Sequence, residues 1–376
     1  MGRRLILGLA VSLFILIAFV AWTKLERRPP TAELVHPIAA LGRSSTIDVR
    51  IADVGTGLAW SRVEVESGGT TTVLASDTYP AVSWRGSGLF ETTITTPLAP
   101  IEHKFGEGPA TLRVFAGDYS WMRWLRAEHP LLETAFTIDL TAPTVEVLSQ
   151  QHYIKLGGLD FMLYRASPDT IRSGVTVGNY FFPGTAGLFD DASIRAAFFA
   201  IPQDLDAKAT AKAIAEDAAG NRREVGFHTV VKPRTFAAKT LEIDDAFLAR
   251  KVPEILTAGG LPAQPDLVQG YLYINRTVRQ NSEARIKEAT RTSAATPHWD
   301  GAFLRQPNSA PLAGFGDRRS YRHDGVIIDT QTHLGFDLAS LRQAPVIAAS
   351  NGTVVFAENL GIYGDAVIID HGLGIF

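Results

Sequence analysis

His333 and Asp337, in "THLGFDLAS" (residues 332–340), stand four apart with Gly335 between them. A neutral imidazole nitrogen and a carboxylate oxygen are both zinc donors. Spacing of four puts two side chains on one side of either a helix or a strand. Gly335 and the short β-type runs around it disfavour a helix, so this is not the helical H-E-x-x-H arrangement. A catalytic zinc site takes three protein ligands and keeps one position for water. The ion lowers that water's pKa toward about 7 and polarises a scissile carbonyl. Two donors do not complete such a site, and on their own they fit a surface turn better.

The elements that must position this pair are short strands. "APVIAAS" (344–350) and "TVVFAEN" (353–359) are expected as a hairpin closed by Asn351-Gly352, a pair suited to a tight turn. "AVIIDHG" follows a turn spanning Gly361–Gly364. Upstream, from about Thr235 to Arg291, apolar residues fall at helical spacing. Asp244 or Asp245 is placed to cap one helix and Asp266 to cap a second. Further upstream the pattern is β. "STIDVRIADV" and "SRVEVES" alternate in period two, and "GTG" (55–57), "SGG" (67–69) and "GSG" (86–88) punctuate them. "ATLRVFAGD" and "TAFTIDL" are the expected closing strands of this unit, and "DLTAPTVEVL" is a joint broken by its proline. A second unit repeats the order of the first. "RVFAGDYSW" has its loose counterpart in "AIAEDAAGNRREVGFHTVV", where "EDAAGN" makes a turn. Two tandem antiparallel sandwiches of immunoglobulin type account for this order.

Composition bounds the rest. The 376 residues are 46% hydrophobic and 20% charged, as in a globular protein, and the net charge of −3 gives no basic face for nucleic acid. With no cysteine, disulfides and thiolate metal sites are excluded. At the N-terminus, Arg3 and Arg4 precede an uncharged run of 18 residues, Leu5 to Trp22. As a helix this run spans about 27 Å, close to the hydrocarbon thickness of a bilayer. Trp22, Lys24, Arg27 and Arg28 follow as interfacial residues do. The run is longer than the apolar core of a cleaved signal, and Phe19 occupies the −3 position before Ala21. An uncleaved anchor is expected.

Four phrases recur in register near the C-terminus: "FGDRRSY" (315–321), "THLGFDLAS", "APVIAASNGTVVFA" (344–357) and "GIYGDAVIIDHGLGIF" (361–376). Together they resemble the catalytic domain of the lysostaphin/LytM-type zinc metallopeptidases over about residues 312–376. "VGNYFFPG" and "WDGAFLRQPNSA" more loosely resemble membrane-anchored bacterial members that carry β-modules in front. The resemblance implies that His333 and Asp337 are the first two ligands of a Zn2+ ion. It also implies that the third ligand and the catalytic histidines belong to Tyr-x-His-Leu and His-x-His motifs beyond residue 376, so no catalytic residue is assigned within the chain as given. On that reading this sequence is a piece of a longer protein and would by itself bind zinc weakly. His371, in "DHG", is expected to be a structural strand-end histidine, and His323, in "YRHDG", an exposed loop residue. Arg318 and Arg319 are either groove-lining residues or ordinary surface charges.

The expected architecture is mostly β. It comprises a transmembrane anchor (1–28), two Ig-like sandwiches (29–141 and 142–232), a helical connector (233–300) and an incomplete antiparallel-β metallopeptidase domain (301–376). The implied function is that of a cell-envelope zinc endopeptidase acting on peptide cross-links of peptidoglycan. It would sit in a bacterial inner membrane by a single pass, with its domains in the periplasm and no nucleic-acid partner. The alternatives are a non-catalytic LytM-like regulator of wall hydrolases, or an envelope scaffold or adhesin in which the sandwiches are the main business. The retained pair favours the enzyme, because a regulator has no chemical need of both residues.

Overall fold

The computed structural model describes residues 2–125 and 127–376. Helix Gly2–Lys24 is long and apolar enough to cross a membrane, and Ile6, Phe14 and Trp22 on it are exposed. The side chains of Arg3, Arg4 and Leu5 lie outside the described set.

By chain contacts the molecule divides into two units. The first comprises residues 1–143 together with 169–171 and 216–223. Its strands form a three-stranded sheet, in which Ser45–Ala52 lies between Thr31–Leu34 and Glu91–Leu98, and a five-stranded sheet centred on Gly108–Asp118 and Leu58–Ser67. Alternation in "STIDVRIA" sends Ile47, Val49 and Ile51 inward, where they meet Val63, Val65, Leu112 and Val114 from the other sheet. These side chains are fully buried, and each contributes roughly 1.5–3 kcal/mol of transfer free energy. This is a two-sheet sandwich, as the period-two pattern requires.

The second unit holds the remaining residues, which include most of two further sheets. Leu159–Ala166, Ile194–Ala200 and Val145–Val147 make one sheet, and Tyr180–Pro183, Thr170–Val177, Ala211–Asp217 and Arg222–Gly226 another. Met162, Tyr164, Val175 and Phe199 fill the space between them. Two helical stretches follow. Asp245–Ala258 is capped by Asp244, whose carboxylate accepts from Phe247 N at 2.7 Å, and Leu267–Tyr273 is capped by Asp266, which accepts from Gln269 N at 2.7 Å. The second continues through a π-helical turn, Ile274–Val278, into Arg279–Ala289.

Two expectations fail here. Ala238–Glu242, inside the helical stretch, is a strand and pairs in parallel with Arg318–Arg322. All five of its residues are exposed, so it has no hydrophobic period to announce it. Residues 344–350 form no strand, and the Asn351-Gly352 hairpin is absent. Thr353–Asn359 pairs instead with Asp365–Asp370, across a turn in which Gly361 and Gly364 take positive φ. The 344–350 segment is held by isolated bonds, such as Leu304 N to Ala349 O at 2.7 Å and Gln306 Nε2 to Pro345 O at 2.7 Å. Pro345 has no N–H to give a ladder.

Candidate metal centre

The hairpin Arg318–His323/Val326–Thr332 delivers His333. Asp324 and Gly325 turn it, both at positive φ, a conformation that Asp and Gly tolerate. The helical layer holds its outer face. Tyr321 and, in part, Ile328 pack with Leu248, Val252, Tyr271 and Ile274. Asp329 accepts from Asn275 Nδ2 at 2.7 Å and pairs with Arg276 at 3.1 Å. Gln331 Nε2 donates to Asn275 O at 3.0 Å. The π-helical turn supports this arrangement, because a widened turn releases carbonyls from the helical ladder.

His333 follows the strand directly. Its N–H donates to Asp317 O at 2.8 Å, and its carbonyl accepts from Gly316 N at 2.7 Å. The chain then turns through Leu334–Phe336, and Asp337 opens strand Asp337–Ala339, opposite Ala313 of Ala310–Ala313. The turn brings the two side chains together. His333 Nε2 lies 3.3 Å from Asp337 Oδ1. That nitrogen is buried and meets no partner at hydrogen-bond geometry. Asp337 Oδ2 is taken by Arg319 Nη2 at 2.8 Å.

This geometry fits a metal pair. Two ligands about 2.0–2.1 Å from a tetrahedral zinc ion stand about 3.3–3.4 Å apart. The imidazole nitrogen, without a hydrogen-bond partner, and the carboxylate oxygen stand at that separation. The Arg319 pairing is the part that spacing could not supply. Strand alternation puts Arg319 and Arg318 on opposite faces, and only the fold shows which one meets Asp337.

His371 and His323 make structural contacts. His371 Nδ1 lies 2.7 Å from Asn351 O, and its ring packs edge-on to Phe303. His323 corrects the expectation of an exposed loop residue. It ends strand Arg318–His323, its side chain is 12% exposed, and Nδ1 donates to Ile243 O at 2.7 Å. The strand beginning at Ala238 leads into this contact, which is why sequence alone left His323 outside. The bond to Ile243 raises the His323 pKa. Partial burial opposes this, and the carboxylates of Asp324 and Asp245 add to it. The folded value therefore exceeds the unfolded one, about 6.5. The resulting stabilisation is complete below the unfolded pKa and disappears as pH rises through the folded value. Chemical denaturation across pH 5.5–8 should show a fall in stability that His323→Gln flattens. An equal slope in the variant would refute the assignment.

Residues 331–376 match the family model described as Peptidase family M23. Among curated proteins none matches. Solved structures similar to the chain include the D1–D4 ectodomain fragment of ICAM-5, at 12% identity, 54% of this chain, 53% of that chain and a TM-score of 0.22. A Ca2+-stabilised, ice-binding adhesin of an Antarctic bacterium matches at 15% identity, 58% of this chain, 55% of that chain and a TM-score of 0.25. This chain thus spans about half the length of each, and likeness at that level carries no functional argument.

Proposed function

We propose that the protein is an envelope zinc endopeptidase that cleaves peptide cross-links of peptidoglycan. The observation that carries this reading is the 3.3 Å approach of the orphaned His333 Nε2 to Asp337 Oδ1, within the segment that matches a peptidase family. His333 and Asp337 would hold the ion. When bound, zinc supplies Lewis acidity that activates water and polarises the scissile amide. The chain's own contribution is preorganisation. Arg319 holds one oxygen of Asp337, so the other oxygen stays turned to the imidazole. The Gly316–His333–Asp317 main-chain bonds fix the depth of the imidazole.

The test is made on the full-length gene product, with zinc per chain from elemental analysis and cleaved peptides released from purified wall. One zinc and metal-dependent release are expected. A zinc-free protein that stimulates another hydrolase without cutting would establish the regulator instead.

Helix Gly2–Lys24 would anchor the protein in the inner membrane with the β-modules outside the cytoplasm. A reporter active only outside the cytoplasm, fused after residue 40, should be active. An inactive fusion would reverse the orientation, and mature protein lacking the first twenty-odd residues would show a cleaved signal.

A further inference from the structure

The first sandwich has two unlike ends. Strand Leu58–Ser67 runs between them, and its 10 residues cover about 33 Å. At the far end it turns back through the polar "SGGT" (67–70), and exposed Ile101 is flanked by exposed Glu102 and Lys104. The near end receives helix Gly2–Lys24. Two loops meet the last turn of that helix. Lys24 Nζ donates to Arg85 O at 3.0 Å and lies 5.3 Å from the centre of the Trp84 ring. The Ser120 hydroxyl donates to Glu26 O at 2.9 Å. These contacts set the loops 81–90 and 119–125 beside the end of the helix.

Both loops turn apolar side chains outward. Trp84, Trp121 and Val82 are exposed, and Trp124 and Leu125 are 77% and 79% exposed. Three of the chain's six tryptophans fall in these two loops, and Trp22 is exposed at the end of the helix beside them. Scattered apolar side chains are ordinary on a surface, but a contiguous group marks a face that something covers. The loops are held in this shape. Val82 N donates to Gly86 O at 3.0 Å, and Gly86 passes so close to Thr56 O that a Cβ there would overlap it. Met122 N donates to Ser120 Oγ at 3.1 Å, and Trp84 and Trp121 meet edge to face at 6.2 Å. Charge points the same way. Neither "AVSWRGSGLF" (81–90) nor "YSWMRWLRA" (119–127) contains an acidic residue. Arg85, Arg27 and Arg28 are exposed, and the Arg123 guanidinium lies 4.9 Å from the Trp124 ring centre. The neighbouring carboxylates of Asp53 and Asp118 are buried, and Glu128 pairs with Arg62 at 2.6 Å.

We propose that this end of the first sandwich docks on the bilayer that holds helix Gly2–Lys24, with Trp84, Trp121, Trp124 and Leu125 in the interfacial layer and the arginines among anionic headgroups. The docking rests on the helix being an anchor. An indole suits that layer, because its apolar body is covered by lipid while its N–H reaches headgroup oxygens. Arginines next to a membrane surface are drawn to anionic lipid. One helix alone lets a domain swing about its exit. A second contact, through the loops that already grip Lys24 and Glu26, fixes the direction in which the sandwich leaves the membrane.

The chain has no cysteine, so one introduced thiol can carry an environment-sensitive fluorophore. The full-length protein is placed in nanodiscs of phosphatidylcholine and phosphatidylglycerol, with the probe at Leu125→Cys, at Leu13→Cys within the helix, or at Thr70→Cys at the far end. The quenchers are lipids brominated at shallow or deep acyl carbons. Deep bromines should quench the probe at position 13, shallow ones the probe at 125, and neither the probe at 70. Trp84→Ser with Trp124→Ser should cut quenching at 125 by about twofold or more and leave 13 unchanged. If the pair fails to fold, Trp124→Ser decides alone, since its ring is mostly in solvent. Quenching at 13 without quenching at 125 would overturn the docking and keep the anchor. No quenching at 13 would overturn both. A blue-shifted but unquenched probe at 125 would mean that protein, such as a second copy of the chain, covers the face, and quenching there that ignores the tryptophans would reduce it to nearness to the helix. Either result would overturn the proposal.

Discussion

His333→Ala should leave the full-length protein without zinc and take wall-peptide release to background, while circular dichroism stays that of the parent. The substitution removes the proposed ligand, whose Nε2 has no hydrogen-bond partner in the fold, so little else depends on it. Asp337→Ala should do the same, with one addition. It releases Arg319, whose side chain is 24% exposed and can turn to water, so the stability cost stays small. Asp337→Asn sharpens the argument, since it keeps the shape and loses the charge that both a cation and Arg319 require. Arg319→Ala keeps both donors and removes only the group that orients one of them. A loss of about 10–100-fold in zinc affinity or activity is expected there, as for other groups that hold a metal ligand in place. Full zinc and full activity in His333→Ala would remove the site from this position altogether. Wild-type values in Arg319→Ala would reduce its ion pair to a surface charge.

The parts of this structure visible in sequence are those whose signal is local. Asp244 and Asp266 announce their helices because a cap is read within four residues. The alternation in "STIDVRIA" announces a strand because one face is buried. The spacing of His333 and Asp337 is local too, but it gave them meaning only through the four phrases around it. Features set by distant partners were not visible. Strand Ala238–Glu242 exists because Arg318–Arg322, some eighty residues on, offers it an edge, and its own residues are exposed. His323 is partly covered for the same reason. The choice between Arg318 and Arg319 needed the register of a hairpin. The convergence of Glu26 with Asp53 and Asp118 joins three separate segments. In the other direction, "SNGT" carried a strong hairpin signal that the chain does not use. Local turn chemistry proposes a turn, and a ladder partner on both sides has to accept it.

Gly316 provides the sharpest test of how the fold holds His333. Its φ is +87°, and its N–H donates to the carbonyl of His333 at 2.7 Å. An added Cβ would fall within the van der Waals surface of the Phe236 ring. Two penalties therefore meet in Gly316→Ala: a backbone conformation unsuited to an L side chain and a clash with an aromatic ring. Together they should cost about 1–3 kcal/mol in chemical denaturation. The loop can relieve the clash only by moving, and its N–H then leaves the His333 carbonyl. Zinc affinity should fall with stability, although no ligand has been touched. Phe236→Ala separates the causes. In the double variant the truncated side chain removes the overlap and restores part of the loss. The remainder is the backbone term, of roughly 1–2 kcal/mol for one residue forced to positive φ. Gly316→Ala with unchanged stability and unchanged zinc would show that the loop does not position His333. Full rescue by Phe236→Ala would show that the glycine is needed for space and not for its dihedral angle.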